Sequence, residues 1–151
     1  MHIRPATLDD ISDVVRLLGV IRQKTVPVDD ISEIFDNILA SKYADVLLAV
    51  SDDKAVGMAI VNGVLKLNRI ECRLDDVVVD PEARKGGIGT ALMAASDQWA
   101  WDHGCYKIEF TSRAERVDAV SFYEKRNYER RASSIFTKIS PNTDYVKTKV
   151  I

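Results

Sequence analysis

The chain has 151 residues, of which 46% are hydrophobic and 29% are charged, as in ordinary soluble globular domains. Its seven glycines and four prolines are too few for a disordered, collagen-like or linker-rich chain, and its net charge of −2 is too small to indicate a nucleic-acid partner. The two cysteines and two histidines lack zinc-ligand spacing, so we expect no metal site and reduced thiols in a cytoplasmic protein.

Charge is distributed unevenly along the chain. Residues 1–80 carry 9 basic and 14 acidic side chains, a net charge of −5, whereas residues 81–151 carry 12 and 9, a net charge of +3. An anionic ligand is therefore expected in the C-terminal half. The N-terminus lacks the apolar segment of a signal peptide, and no apolar run approaches the roughly 20 residues of a membrane helix, so we expect no membrane partner.

Hydrophobic periodicity and turn residues predict the secondary structure. Thr7 is expected to cap the first helix, with Asp10 three residues later accepting from the Thr7 amide. Gly57 is expected to mark a β-bulge. The predicted elements, in chain order, are strand 2–4, helix 8–18, helix 29–39, strand 46–50, strand 55–64, strand 70–79, helix 90–103, strand 107–111, helix 117–126 and closing strands at Tyr128 and 134–138.

This order of elements predicts an α/β domain in which helices cover both faces of a mixed sheet. There is no internal repeat or linker, so we predict one domain over residues 1–139. Residues 140–151 form a polar tail, in which weak alternation over 145–150 leaves two interpretations open, a frayed end or an edge strand.

The most informative segment joins the strand that ends in Val77, Val78 and Val79 to the helix that begins near Thr90. Three glycines, Gly86, Gly87 and Gly89, stand at this junction directly after Arg84 and Lys85. The first N–H groups of a helix have no partner within it and lie at the positive end of the dipole, and glycine lets a ligand approach the backbone. The segment therefore predicts a binding site for a phosphate or pyrophosphate.

Two nucleotide-binding motifs fit the segment poorly. The Walker motif requires Lys-Ser/Thr after its last glycine, and none follows here. The dinucleotide motif begins well at Gly87-x-Gly89, but its third glycine position holds Leu92. Only 42 residues follow Glu109, the residue placed to bind a ribose, and they are too few to complete a doubly wound sheet.

A third pattern, Arg/Gln-x-x-Gly-x-Gly/Ala for acyl-CoA, matches residues 84–89 at every fixed position. The flanking residues Val79-Asp80-Pro81 and the later run 116–128, with Ala119, Phe122 and Tyr123, extend the match. Over about residues 2–139 the chain resembles the GNAT superfamily of acetyl-CoA-dependent N-acetyltransferases. It departs from the family pattern where Arg116 replaces Asn and Asn127 replaces Gly. The form of these motifs resembles the subgroup that acetylates small amines, including aminoalkylphosphonates.

The resemblance implies a mostly antiparallel sheet of six to seven strands, splayed between the fourth and fifth strands, and it allows a homodimer. It also implies that acetyl-CoA is the co-substrate. The strand backbone would pair with the pantetheine arm, and the helix start would hold the pyrophosphate. Arg116, where the chain departs from the family pattern, would either reach a cofactor phosphate or bind an anionic group of the acceptor. The residues expected to contact acetyl-CoA are Val77, Val78, Val79, Arg84, Lys85, Gly86, Gly87, Ile88, Gly89, Thr90, Arg116 and Tyr123.

The chemistry of amine acetylation requires both a proton acceptor and a proton donor. An alkylamine of pKa about 10.4 is protonated at pH 7, so a base or a water path must remove its proton, and an acid assists the departing thiolate. The resemblance places Tyr123 at the position of the acid. Glu71, Asp75 and Asp76 are the carboxylates available as base, and we favour Asp75 because strict alternation would put it on one face with Val77 and Val79.

We therefore predict an N-acetyltransferase that acts on a primary amine of a small molecule. Acidic residues in the second helix region, Asp29, Asp30, Glu33 and Asp36, are expected near the acceptor. Two alternatives stay open, a protein acetyltransferase that modifies lysine or an N-terminus, and an acyl-CoA-binding sensor without turnover. An intact residue pattern at 84–89 together with Tyr123 argues against the sensor.

Overall fold

The computed structural model of the protein describes residues 1–112, 115–139 and 141. The chain divides into two compact units, residues 1–110 and residues 111–151. The expected tail 140–151 lies outside the described residues, apart from position 141. The helices and strands are β1 (His2–Pro5), α1 (Ile11–Arg22), α2 (Ser32–Ala40), β2 (Ala44–Ser51), β3 (Lys54–Leu65), β4 (Ile70–Val79), α3 (Ile88–Asp102), β5 (Cys105–Glu109) and α4 (Val117–Glu124).

The first unit is built on a five-stranded mixed sheet with the strand order β1-β2-β3-β4-β5. The strands β1 to β4 pair antiparallel, and β5 lies parallel to β4. The turn at 51–54 produces the expected hairpin, because Asp52 and Asp53 both adopt positive φ, at 50° and 59°. The predicted order of elements is confirmed over this unit.

Alternating residues of the central strands bury two separate apolar faces. On one face, Leu48, Met58 and Val78 pack with α1 and α2, whose Leu17 and Phe35 are almost fully buried. On the other face lies α3, and Gly57 permits its close approach. A Cβ at Gly57 would lie 3.0 Å from Leu92 Cδ1 and 3.1 Å from Ile88 Cγ2, so a larger residue would push the helix away.

Irregularities in two strand pairs change which side chains share a face. Against β2, the register of β3 shifts so that Val56, beside Gly57, is the extra residue; this confirms the expected bulge. In β4, Asp75 pairs with Ile60 and Val78 pairs with Met58, so Asp76 and Val77 together oppose one residue of β3. Asp76 adopts a φ of 46° at this second bulge.

The parallel strand β5 is short and pairs with only the first part of β4. The register joins Ile70 with Cys105, Cys72 with Ile108 and Arg73 with Glu109. The rest of β4, residues 74–79, extends past β5. Both cysteines are free, as expected for reduced thiols, and the structure buries both of them as small core residues.

In the second unit, α4 is followed by a turn in which Asn127 has a φ of 65°, as expected where Asn replaces Gly after a helix. The predicted closing strands at Tyr128 and 134–138 are wrong, because the described residues after Asn127 form no regular element. The described residues therefore contain five strands, not the six to seven that we expected. Exposed β-prone residues such as Ile135 and Phe136 satisfy strand propensity but make no strand pairing there.

The capping pattern predicted from Thr7 and Asp10 is present in the structure. The Thr7 amide donates to Asp10 Oδ2 at 2.7 Å, as the capping pattern predicts. Asp10 also accepts two hydrogen bonds from the Arg4 guanidinium, at 2.7 and 2.8 Å, which join β1 to the turn before α1. This bidentate contact fixes the entry into the first helix.

Candidate functional site

The predicted phosphate site forms the connection between β4 and α3. Asp80 caps a single 3₁₀ turn, Pro81–Ala83, and its Oδ1 accepts from the Glu82 amide at 3.2 Å. The chain then turns through two residues with left-handed backbone, Lys85 with φ 75° and Gly87 with φ 76°. Gly87 is the N-cap of α3, so glycine is required where the loop enters the helix.

Space and charge at this connection suit an anion. Among the described residues, a Cβ placed on Gly87 would meet no atom within 4 Å, and one on Gly86 would meet only the Ala83 carbonyl oxygen, at 3.7 Å. Arg84 and Lys85 are exposed beside them. Because the first amides of α3 have no acceptor within the helix, an anion here would meet both N–H donors and cationic side chains.

The remaining residues of the predicted site differ in burial, so some could offer a ligand only their backbone. The Ile88 side chain is buried and packs toward Gly57, so it anchors the helix to the sheet and leaves only its backbone for a ligand. Gly89 is half-buried, and Thr90 is exposed. In β4, the Val78 side chain belongs to the core, whereas Val77 and Val79 are half-buried along the part of the strand that extends past β5.

The β4 bulge corrects the face that alternation assigned to Asp75. Because of the extra residue, Asp75 shares its face with Val78, and Val79 lies on the opposite face, paired with Gly57. Asp75 accepts hydrogen bonds from Arg73 Nε at 3.1 and 3.2 Å and from Asn62 Nδ2 at 3.4 Å. Its side chain keeps 37% of its surface exposed, so it stays accessible to a substrate.

The other two candidate carboxylates have different surroundings. Burial raises the pKa of Asp76, and the Arg22 guanidinium, 3.8 Å from Asp76 Oδ1, opposes this rise. Glu71 is buried and accepts from Arg69 Nε at 2.6 Å, with Lys66 and Lys107 within 4 Å. The hydrogen bond from Arg69 is the main reason that the pKa of Glu71 is lowered. A carboxylate surrounded by three cations is a poor proton acceptor.

Tyr123 and Arg116 belong to the second unit. The Tyr123 ring packs edge-to-face against Phe122 and Tyr128, with centroids 5.3 and 6.2 Å apart. Burial raises the pKa of Tyr123, and the nearby charge of Arg116 partly lowers it. The phenol therefore carries its proton at neutral pH. Arg116 is exposed at the N-cap of α4.

Sequence reasoning missed two arginines of α1 that contact this region. Arg16 Nη1 donates to Asp80 Oδ2 at 2.7 Å, and Arg22 contacts Asp76 as described above. Both partners come from β4 or the residue directly after it, more than 50 positions along the chain. No local pattern signals such a pair; only the placement of α1 on the sheet reveals it.

The described part of the chain has neither a membrane-spanning helix nor a metal-binding cluster. Its helices are all too short or too polar to span a lipid bilayer. Within residues 1–112, 115–139 and 141, no cluster of three or more His, Cys, Asp or Glu side chains could hold a metal ion.

Comparison with known proteins identifies relatives with one common chemistry. The model of the acetyltransferase (GNAT) family matches residues 12–128. The glucosamine 6-phosphate N-acetyltransferase 1 of Oryza sativa subsp. japonica is 32% identical over 134 residues, which is 82% of this chain and 78% of that protein. The aminoglycoside N(6')-acetyltransferase type 1 of Stenotrophomonas maltophilia is 26% identical over 118 residues, 74% of this chain and 76% of that protein.

Solved structures show the same fold. The crystal structure of glucosamine-6-phosphate N-acetyltransferase from Arabidopsis thaliana matches with a TM-score of 0.78 and 19% identity, over 92% of this chain and 98% of that chain. The mixed sheet with helices on both faces is therefore an arrangement that this solved protein shares.

Proposed function

Because the chain belongs to the GNAT family of acetyltransferases, and is thus an acyltransferase, we propose that it transfers an acetyl group from acetyl-CoA to a primary amine of a small molecule. The observation that carries this proposal is the loop between β4 and α3. There, open space over Gly87 meets the helix start and two exposed cations, Arg84 and Lys85. This combination suits the pyrophosphate of CoA.

The residues on either side of the loop support the same ligand. The amides of Gly87 to Thr90 would hold the pyrophosphate, with Arg84 and Lys85 neutralising its charge. Since β5 pairs with β4 only as far as Arg73, the backbone of Val77 to Val79 would be available to the pantetheine arm. This register also supports the expected splay between the fourth and fifth strands. Arg116, exposed at the start of α4, would pair with a phosphate of the cofactor.

Acetyl-CoA supplies an activated acetyl thioester, and the side chains of the protein manage the protons. In this proposal the Asp75 carboxylate takes the proton of the amine, directly or through water, because its side chain is accessible. The hydrogen bonds from Arg73 and Asn62 would orient this carboxylate. Tyr123 keeps its phenolic proton at neutral pH and donates it to the departing thiolate.

The acceptor class rests on the relatives. Two of them are named for small molecules that carry amines, glucosamine 6-phosphate and aminoglycosides. The acidic side chains Asp29, Asp30, Glu33 and Asp36, which are exposed around the start of α2, would favour a cationic acceptor. We therefore propose a small cationic amine in preference to a protein side chain.

The test is acetyl-CoA turnover measured by thiol release over a panel of amines. The panel contains glucosamine 6-phosphate, an aminoglycoside, an aminoalkylphosphonate, a lysine-containing peptide and a neutral amine. We expect release with at least one small-molecule amine and mass-spectrometric detection of its acetylated product. Thiol release with the peptide alone would contradict the small-molecule acceptor. CoA binding without thiol release in the presence of any amine would favour the sensor.

A further inference from the structure

The start of the proposed acetyl-CoA loop is connected to α1 through one guanidinium group. Arg16 Nη1 donates to Asp80 Oδ2 at 2.7 Å, and Arg16 Nη2 donates to the carbonyl oxygen of Ala55. The Nε and Nη2 atoms of Arg16 also donate to Asp13 Oδ1, at 3.3 and 3.0 Å. A single planar group thereby joins α1, the beginning of β3 and the residue that follows β4.

Asp80 extends this connection into the loop. Its second oxygen accepts from the Glu82 amide at 3.2 Å, and its own amide donates to the Val56 carbonyl oxygen at 2.8 Å. Asp13 completes the arrangement on the other side, where its Oδ2 accepts from the Ala55 amide at 2.9 Å. The carboxylate of Asp80 thus joins the Arg16 guanidinium to the 3₁₀ turn that opens the loop.

The buried charge of Asp80 is stabilised by two hydrogen-bond donors, the Glu82 amide and the Arg16 guanidinium. Asp80 is only 8% exposed, and burial by itself disfavours its charged form. Hydrogen bonds from the Glu82 amide and from Arg16 outweigh that cost, so the pKa of Asp80 is lowered. Lys54 also contributes favourable charge, but removal of the guanidinium would leave a buried carboxylate without its hydrogen-bonded cation, and such a change is unfavourable. A lysine could keep the charge but could not make the forked contact.

The loop itself is held mainly at its two ends. Residues 84–87 are exposed and two of them have positive φ, and the Arg84 side chain makes a long contact of 3.4 Å with the Val79 carbonyl oxygen. One end is fixed where Ile88 packs into the core, and the other is fixed at Asp80. The orientation of the loop therefore depends on the contacts of Asp80.

We propose that Arg16 is a positioning residue for acetyl-CoA binding, and that it acts through Asp80 to hold the 81–87 loop in its binding orientation. This inference rests on the proposed function, because it assigns the loop to CoA. Arg16 does not itself touch the reacting atoms. Loss of Arg16 should therefore weaken the binding of acetyl-CoA and leave both the affinity for the amine and the rate of the chemical step nearly unchanged.

The experiment compares Arg16→Gln with a matched control, Arg4→Gln. Arg4 forms a similar bidentate pair with Asp10, but that pair joins β1 to the turn before α1 and does not reach the loop. Calorimetry with CoA, steady-state kinetics with acetyl-CoA and the best amine, and thermal unfolding are measured for both variants. We expect Arg16→Gln to raise the Kd for CoA and the KM for acetyl-CoA about fivefold or more, equivalent to about 1 kcal/mol.

Two further variants, the control Arg4→Gln and the substitute Asp80→Asn, complete the test of the positioning role. Arg4→Gln should lower Tm and leave the Kd for CoA unchanged. A similar loss of CoA affinity in Arg4→Gln, or an unchanged Kd in a folded Arg16→Gln, would overturn the positioning role. If Arg16→Gln does not fold, Asp80→Asn is measured instead, since asparagine can still accept from the Glu82 amide. An unchanged Kd there rejects the proposal, and a weaker one supports it.

The parent protein separates this proposal from the proposed function. If the parent binds CoA and the Arg16 and Asp80 variants bind it equally well, the positioning role alone fails. If the parent does not bind CoA, the assignment of the loop is wrong and both proposals fail.

Discussion

Two adjacent aspartates of β4 illustrate how much a single extra residue changes at the residue scale. Asp75 lies before the bulge, is partly exposed and accepts from Arg73 and Asn62. Asp76 lies in the bulge with a positive φ, is somewhat more buried, and lies 3.8 Å from the Arg22 guanidinium. Neighbours in the sequence thus have different surroundings, and the partial burial of Asp76 raises its pKa.

Replacement of Asp75 tests its role as the base. We expect Asp75→Asn to lower kcat at least about tenfold, because general base catalysis typically contributes 10²–10⁴-fold. Asp76→Asn is the neighbouring control and should retain most of the activity. Equal losses of kcat in the two variants, or none in Asp75→Asn, would contradict the assignment.

The stability of the control variant, Asp76→Asn, should differ from that of the parent in a way that depends on pH. The pKa of Asp76 is raised in the folded state, so its ionisation disfavours folding above the ordinary aspartate pKa of about 3.9 and has no effect well below it. Asp76→Asn should therefore increase Tm relative to the parent at pH 7, and this gain should vanish near pH 3.

Tyr123 is tested by removal of its hydroxyl group alone. Tyr123→Phe preserves the ring contacts with Phe122 and Tyr128, so the fold and the Kd for CoA should change little. We expect kcat to fall at least about tenfold through loss of the acid. Tyr128→Phe removes a phenol from the neighbouring ring and should keep the parent kcat. Parent-like turnover by Tyr123→Phe, with chemistry limiting the rate, would make Tyr123 a packing residue.

At the scale of the element, α3 connects the sheet to the proposed ligand. Its buried residues, among them Leu92, Met93 and Trp99, pack on the sheet face where Gly57 allows close approach. Its first turn remains at the surface beside the loop. Glycines with positive φ stand at both ends, Gly87 before the helix and Gly104 after it, and a Cβ at either would meet nothing within 4 Å in the part of the chain that the structure describes.

These two glycines form a matched pair for testing the cradle, by which we mean the open space over Gly87 proposed for the pyrophosphate. Gly87→Val and Gly104→Val both force a branched side chain into left-handed backbone, so both should lower stability by an amount on the order of 1–3 kcal/mol. Only Gly87→Val should abolish CoA binding in calorimetry, because its side chain fills the space proposed for the pyrophosphate. CoA affinity that is equal in the two variants would remove the cradle assignment.

At the scale of the whole molecule, several carboxylates couple folding to pH. The pKa of Asp10 is lowered mainly by its hydrogen bond with Arg4, and that of Glu71 by its hydrogen bond with Arg69. The pKa of Asp80 is also lowered, although burial opposes the effect. Because these groups bind protons more weakly in the folded state, each contributes stability that is present above about pH 4 and lost on acidification.

The acid limb of the stability curve tests this account. We expect Tm to decrease as the pH falls from 5 toward 3, since the three lowered groups outnumber Asp76, whose shift has the opposite sign. Thermal unfolding followed by circular dichroism measures the curve. Asp10→Asn should start from a lower Tm at pH 7 and show a shallower decline. A Tm that increases on acidification would contradict the prediction.

The sequence by itself determined the features that arise from neighbouring residues. Apolar spacing predicted the helices and strands of the first unit, Thr7 and Asp10 predicted the first cap, and the glycines after Arg84 and Lys85 predicted the strand–loop–helix connection. These signals are readable because capping, turn geometry and amphipathic periodicity act over a few residues.

Only the tertiary structure decided the features that depend on partners distant in the chain. The β4 bulge follows from register against β3 and cannot be read from alternation within β4. The contact of Arg16 with Asp80 joins residues 64 positions apart. Strand propensity over 134–138 yields no strand among the described residues, because a strand exists only where a partner edge accepts its hydrogen bonds. Local propensity sets what a segment is able to form, and long-range packing sets which of those options is used.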